Sequence, residues 1–261
     1  MVMKKLLVFV IILANLVFGV QGFSRMDSKE FEKIMEKVSK EYDRGNNQKA
    51  LSMLKENIRK NPSDITLKVM LGILYDDMGR KNESEKELNE AIEMQKKYPF
   101  IADDGGKYDI RLMIGTIYMF AEKYEKALKW IKEVDDKNFE KLNVVDYLTG
   151  RLNYELGNVE EAKKILLKSY VKDEDGSSEQ ILGQIYYDEG NQKEAMKWFL
   201  AADKKNNFNA QASLGFVYFE LGDKVKALQW LRKALGEAKK AKEEEQVKEI
   251  QNIIKEVESS N

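Results

Sequence analysis

The 261-residue sequence predicts an all-α chain, a solenoid of about six antiparallel helix hairpins closed by a C-terminal capping helix. Three observations predict it. Proline, the strongest helix breaker, occurs only twice. Apolar residues recur at three- and four-residue spacings on both sides of short turns, the mark of amphipathic helices. One internal pattern returns with a period near 34 residues. Hydrophobic residues make up 43% of the chain and aromatic residues 10%, enough apolar bulk for a core and too much for intrinsic disorder.

Residues 1–22, MVMKKLLVFVIILANLVFGVQG, read as an address and not as part of the fold. Lys4 and Lys5 give a positive start, Leu6 to Val20 an apolar run, and Val20 and Gly22 a small or apolar end. These are the three parts of a secretory signal peptide. The apolar run is shorter than the ~20 residues that a spanning helix needs. The expectation is therefore an exported, periplasmic or secreted protein, the alternative being an uncleaved membrane anchor. A lipoprotein route is excluded, because the chain has no Cys. Residues 23–30 read as a short polar leader.

The repeat comes next. Leu71-Gly72, Ile114-Gly115, Thr149-Gly150, Leu182-Gly183 and Leu214-Gly215 share one context. Twelve residues after each glycine stands a small residue: Ser84, Ala127, Ala162, Ala195 or Ala227. Four residues later comes a large apolar one: Leu88, Ile131, Leu166, Phe199 or Leu231. Three further on is Ala91, Val134, Ser169, Ala202 or Ala234. An earlier copy keeps Ala50 and Leu54 but has Val38 in place of the glycine. Between the two anchors lies a turn marker, Gly45-Asn46, Gly79-Arg80, Gly157-Asn158, Gly190-Asn191 or Gly222-Asp223, and Glu122-Lys123 in the third copy. Glycine there lets the chain reverse. The small anchors are expected where two helices cross closely, since a larger side chain would be overpacked by roughly 1–3 kcal/mol. Successive small residues are separated by 34, 43, 35, 33 and 32 positions, and the long step contains a loop insertion at residues 99–107.

The pattern Leu-Gly-x-x-Tyr, Gly-Asn/Asp, then Ala-x-x-x-Leu-x-x-Ala resembles the tetratricopeptide repeat. Tyr75, Tyr118, Tyr186 and Tyr218 fill its aromatic position, and Pro62 its closing proline. Six copies are placed at 31–64, 65–98, 108–141, 143–175, 176–207 and 208–241. Ala201-Ala202 and Phe208-Asn209-Ala210 also resemble the sibling Sel-like repeats, without their longer turn. The resemblance implies a right-handed superhelical solenoid with a concave groove lined by each copy's first helix. Trp130, Trp198 and Trp230 each follow the small residue by three positions and are expected to pack between hairpins. Residues 238–258 are expected to form the capping helix, with Val247, Ile250, Ile254 and Val257 on its inner side; a dimerisation surface is the alternative.

By that resemblance the late groove positions are the pairs Tyr42-Asp43, Asp76-Asp77, Met119-Phe120, Tyr154-Glu155, Tyr187-Asp188 and Phe219-Glu220. Val69, Leu112, Tyr147 and Phe216 sit nearby. Four of the six pairs are aromatic then acidic. Rings offer contact area at low entropy cost, and carboxylates pair with Lys or Arg. The expected partner is thus a protein or peptide segment with apolar and basic residues, with a homo-oligomer as a further possibility. Some family members hold a partner's C-terminal carboxylate through basic groove residues. Here Arg151 is the one basic residue among these positions, which speaks against that clamp.

Other chemistries are excluded or unsupported. There is no His and no Cys, so Ser–His–Asp and Cys–His catalysis and the usual zinc sites are impossible. No phosphate-binding glycine loop occurs. The body after residue 22 has a net formal charge of −3, with no electrostatic footprint for nucleic acid. Asp173-Glu174-Asp175-Gly176 fails as a calcium loop, because Val171 and Leu182 would stand at ligand positions. Asp103-Asp104-Gly105-Gly106 reads as a hydrated turn. Asn82-Glu83-Ser84 has the form of a glycosylation sequon, but Ser84 is a repeat anchor expected to be buried. The sequence therefore points to a non-enzymatic interaction module without cofactor or metal. The main reading is an adaptor holding a partner in its groove. The alternative is a self-assembling structural component of a cell-envelope complex, and membrane contact follows only if residues 1–22 stay uncut.

Overall fold

The computed structural model describes residues 28–98, 100–101, 107–134 and 142–260. The address segment and the Asp103–Gly106 motif lie outside the described residues. The chain divides into two compact units, residues 1–142 and 143–261.

The first unit holds α1 (Ser28–Asp43) with α2 (Asn47–Lys60), α3 (Ile65–Asp77) with α4 (Lys81–Lys97), and α5 (Ile110–Phe120) with α6 (Tyr124–Lys132). The second holds α7 (Leu142–Glu155) with α8 (Val159–Ser169), α9 (Ser177–Asp188) with α10 (Gln192–Asp203), α11 (Phe208–Glu220) with α12 (Lys224–Lys240), and the closing α13 (Glu244–Ser259). Helices pair within hairpins, and hairpins stack on their neighbours within each unit. This is the all-α solenoid of about six hairpins and a capping helix that the sequence predicts.

The twelve-residue spacing has a direct physical basis. It sets the first-helix glycine against the large residue of the second helix. A Cβ added to Gly183 would stand 2.5 Å from the Phe199 ring, and one on Gly115 would meet the Ile131 side chain at 2.6 Å. Phe199 and Ala195 are fully buried at that crossing. Burying such a ring contributes about 2–3 kcal/mol, which depends on the missing methyl opposite it. Ser84 is buried too, as its anchor role requires.

The turns follow from backbone chemistry. Gly190 takes φ 76°, and its N–H and that of Asn191 bond back to the Tyr187 and Tyr186 carbonyls. Asn191 then caps α10 by accepting from the Glu194 N–H, and Asp223 caps α12 by accepting from the Lys226 N–H. One marker residue thus ends a helix and the next begins another. In the third copy Glu122 adopts φ 56°, with the same pair of backbone bonds, to the Met119 and Tyr118 carbonyls. A side chain there bears the left-handed strain that glycine avoids.

Three local expectations change. The insertion contains a short antiparallel ladder, β1 (Phe100–Ile101) against β2 (Lys107–Tyr108), where a loop was expected. The last helix does not start at residue 238. Instead α12 runs to Lys240, the chain turns with Lys242 at φ 60°, and α13 starts at Glu244. The turn falls in the charged stretch Lys239–Glu245, which reads from sequence as one solvated helix face. Ile250 and Val257 are buried there, with Val247 and Ile254 packed beside them. Helix α1 already includes Ser28 to Glu30, taken from the sequence as leader.

The acidic run at 173–176 serves backbone capping. The Asp173 carboxylate accepts the N–H groups of Asp175, Gly176 and Ser178. Lys205 then ties this loop to α9: its ammonium lies 2.5 Å from buried Glu179 and donates to the Tyr170 and Asp173 carbonyls. Trp198 packs on the cluster built from α8 and α9, and Trp230 on that of α10 and α11, each wedged against the preceding hairpin.

Candidate functional site

The first helices place the aromatic and acidic residues in a ladder. Each tyrosine reaches the first helix of the next hairpin and donates its hydroxyl to a carboxylate there. Tyr42 donates to Asp77 at 2.6 Å, Tyr154 to Asp188, and Tyr187 to Glu220 at 2.6 Å. The sequence pairs neighbours along one helix, whereas the structure joins the aromatic residue of one copy to the acid of the next. The bond suits the protonated phenol. Burial, then the bond to Asp77, pushes the Tyr42 hydroxyl far above its ordinary range, and burial, then Asp188, does the same for Tyr154. The Tyr187 hydroxyl is pushed up to about 12, by its bond to Glu220 first and burial second.

In the first unit lysines close the ladder. Lys126 reaches Asp76 at 2.6 Å, and Lys123 reaches Asp76 at 3.3 Å and Asp77 at 3.1 Å. The Asp76 side chain is only 8% exposed. Burial alone would raise its pKa, but the two ammonium groups outweigh burial and hold the carboxyl below the ordinary range. The sequence did not name these lysines as site residues. The one signal was the third copy's departure from Gly-Asn to Glu122-Lys123.

In the second unit the partners are mostly neutral. Asp188 also accepts from Gln184 at 2.8 Å. Among the described residues, no ion pair involves Asp188 or Glu220. Glu155 is exposed, with the Arg151 Nε 3.8 Å away, and Arg151 also donates to the Tyr147 hydroxyl at 3.3 Å. Phe216 is 45% exposed, and Tyr187 meets it edge to face at 6.1 Å. Tyr147 packs on the α8–α9 cluster, and Phe219 on the cluster of α12 and α13.

The remaining positions divide. Asp43 is exposed and Phe120 half-buried. Val69, Leu112 and Met119 are buried in the first unit's core, so they do not line a surface. Their helices α3 and α5 bury most of their residues, a larger share than α9 or α11 bury. Among the described residues, no group of three or more Asp or Glu is placed to hold a metal ion, and no helix is long and apolar enough to cross a membrane.

A family model described as tetratricopeptide repeat matches residues 65–98, 180–204 and 208–240. The fold is that of tetratricopeptide-repeat arrays. Among solved structures, the anaphase-promoting-complex hetero-tetramer Cut9–Hcn1 is similar with a TM-score of 0.50 and 14% identity, over 90% of this chain and 44% of that one. A tetratricopeptide repeat protein from Parabacteroides merdae matches at TM-score 0.48 and 20% identity, over 87% and 92% of the two chains. PilW, a type IV pilus biogenesis factor, matches at TM-score 0.48 and 9% identity, over 77% and 90%. No curated protein sequence matches. Stacked repeats of this kind present extended surfaces that other proteins bind.

Proposed function

We propose that this chain is an exported protein–protein interaction module that works as a self-assembling structural component of a cell-envelope complex. The observation that carries this reading is the ladder itself. Tyr42, Tyr154 and Tyr187 each bond a carboxylate of the following hairpin, and lysines hold Asp76 and Asp77 in the first unit. They brace neighbouring hairpins into a stiff scaffold. Export rests on residues 1–22. A catalytic role has no support in a fold that is typically non-catalytic.

One observation favours the adaptor reading beside it. Exposed Phe216, with Tyr187 against its edge, offers an apolar anchor next to the Asp188 and Glu220 carboxylates. A peptide with apolar and basic residues would suit that spot.

Light scattering of the chain recovered after export, at several concentrations, tests the first reading. Self-assembly gives a mass that rises with concentration. A constant single-chain mass, with capture of an envelope protein that is lost on Phe216→Ala, would favour the adaptor instead.

A further inference from the structure

The second unit separates its charges by helix. On its first helices α7, α9 and α11, Arg151 stands against Asp146, Glu155, Glu179, Asp188 and Glu220. On its second helices α8, α10 and α12, eleven Lys or Arg side chains stand against five acids. Each face carries a periodic row. Glu155, Asp188 and Glu220 are exposed at equivalent positions of three successive first helices. Lys164 and Lys197 are exposed two positions after the small anchors Ala162 and Ala195, on successive second helices, each also paired with a glutamate one turn back, Glu161 at 3.4 Å and Glu194 at 3.1 Å. Beside them lie Leu167 and Leu200, 41% and 39% exposed at the equivalent register five positions after the anchors. The other second helices have Lys55, Asn89, Lys132 and Arg232 at that register, so among the described second helices only α8 and α10 carry an exposed leucine there.

We infer that the lysine–leucine face of α8 and α10 docks on the carboxylate–aromatic face of α9 and α11 in a second copy of this chain. Three features make a second copy the occupant. The charges are opposite. Both faces carry apolar side chains exposed to water, leucine on one and Phe216 on the other. Both rows advance by one hairpin per step. The carboxylates keep acceptor capacity, because a carboxylate has about four lone-pair sites, of which Tyr187 takes one on Glu220 and Tyr154 and Gln184 take two on Asp188. Two different faces of one molecule make a heterologous contact, which propagates into a ring or an open chain. The inference rests on the self-assembly reading and specifies its interface.

Sedimentation of the recovered chain across concentration, at low and high salt, provides the test. The wild type forms assemblies at low salt that disperse as salt screens the rows. Lys164→Glu with Lys197→Glu weakens association about tenfold or more, as does Asp188→Lys with Glu220→Lys, and mixing the two variants restores it. Circular dichroism and urea unfolding establish that each variant is folded. Since Lys164 and Lys197 are exposed, the lysine variant alone decides the matter if the other fails to fold. Wild-type assembly undiminished in the folded lysine variant would overturn this interface and leave self-assembly standing. A wild type that is monomeric throughout would overturn both. Lysine-dependent binding to phosphatidylglycerol vesicles by a monomeric chain would assign the face to lipid and overturn the inference.

Discussion

The two units use one contact in two ways. In the first, Tyr42 donates to Asp77, and Lys123 and Lys126 then neutralise Asp77 and its neighbour Asp76. In the second, Tyr154 and Tyr187 donate to Asp188 and Glu220, and the charge of those carboxylates is left facing solvent. The hydroxyl braces adjacent hairpins in both. A lysine pair converts the same rung from a charged surface into an internal lock. A repeated motif therefore does not carry a repeated role; what stands at the start of the following hairpin's second helix decides it.

The largest effect should be the same in both units, since the helix crossings are the same. Gly115→Val and Gly183→Val each drive a side chain into Ile131 or Phe199 and should cost about 1–3 kcal/mol or more by urea unfolding. A large effect in one unit and none in the other would break the equivalence of their cores. The second effect belongs to the first unit alone. Asp76 releases its proton more readily when folded than when unfolded. Its stabilisation is complete above the ordinary carboxylate pKa of about 4 and is lost as pH falls through the lowered folded value. The urea midpoint should therefore exceed that of Asp76→Asn at pH 7 and converge with it in strong acid.

Smaller changes sharpen the same comparison. Glu122→Gly gives the third turn the residue its φ requires and should stabilise by about 0.5–1 kcal/mol in thermal melts. Tyr187→Phe removes one exposed hydroxyl donor and should cost about 0.5 kcal/mol. A cost several times greater would mean that the second unit's rung is a lock like the first.

The hairpins were legible because their determinants are local. A glycine that must meet Leu, Ile or Phe across a crossing, and a small residue twelve positions on, leave a periodic trace. The candidate face was legible only in part. Tyr154, Tyr187 and Glu220 were found at their repeat positions, but the hydroxyl of one copy bonds the acid of the next, a relation that spans 33 or 34 residues and leaves no spacing within a helix. Val69 and Leu112 are buried, which repeat position alone does not encode. The break at 241–243 was hidden because it falls within the charged run Lys239–Glu245, which carries no Gly or Pro to mark a turn.

Unfolding Asp76→Asn and Asp188→Asn side by side at pH 7, with sedimentation of both, tests the contrast most directly. Asp76→Asn should lose about 1–2 kcal/mol while assembling like the wild type, since the lysine lock belongs to the first unit and the residues of the proposed interface to the second. Asp188→Asn should stay within about 0.5 kcal/mol of wild-type stability and assemble more weakly. Equal losses of stability with unchanged assembly in both would contradict the account.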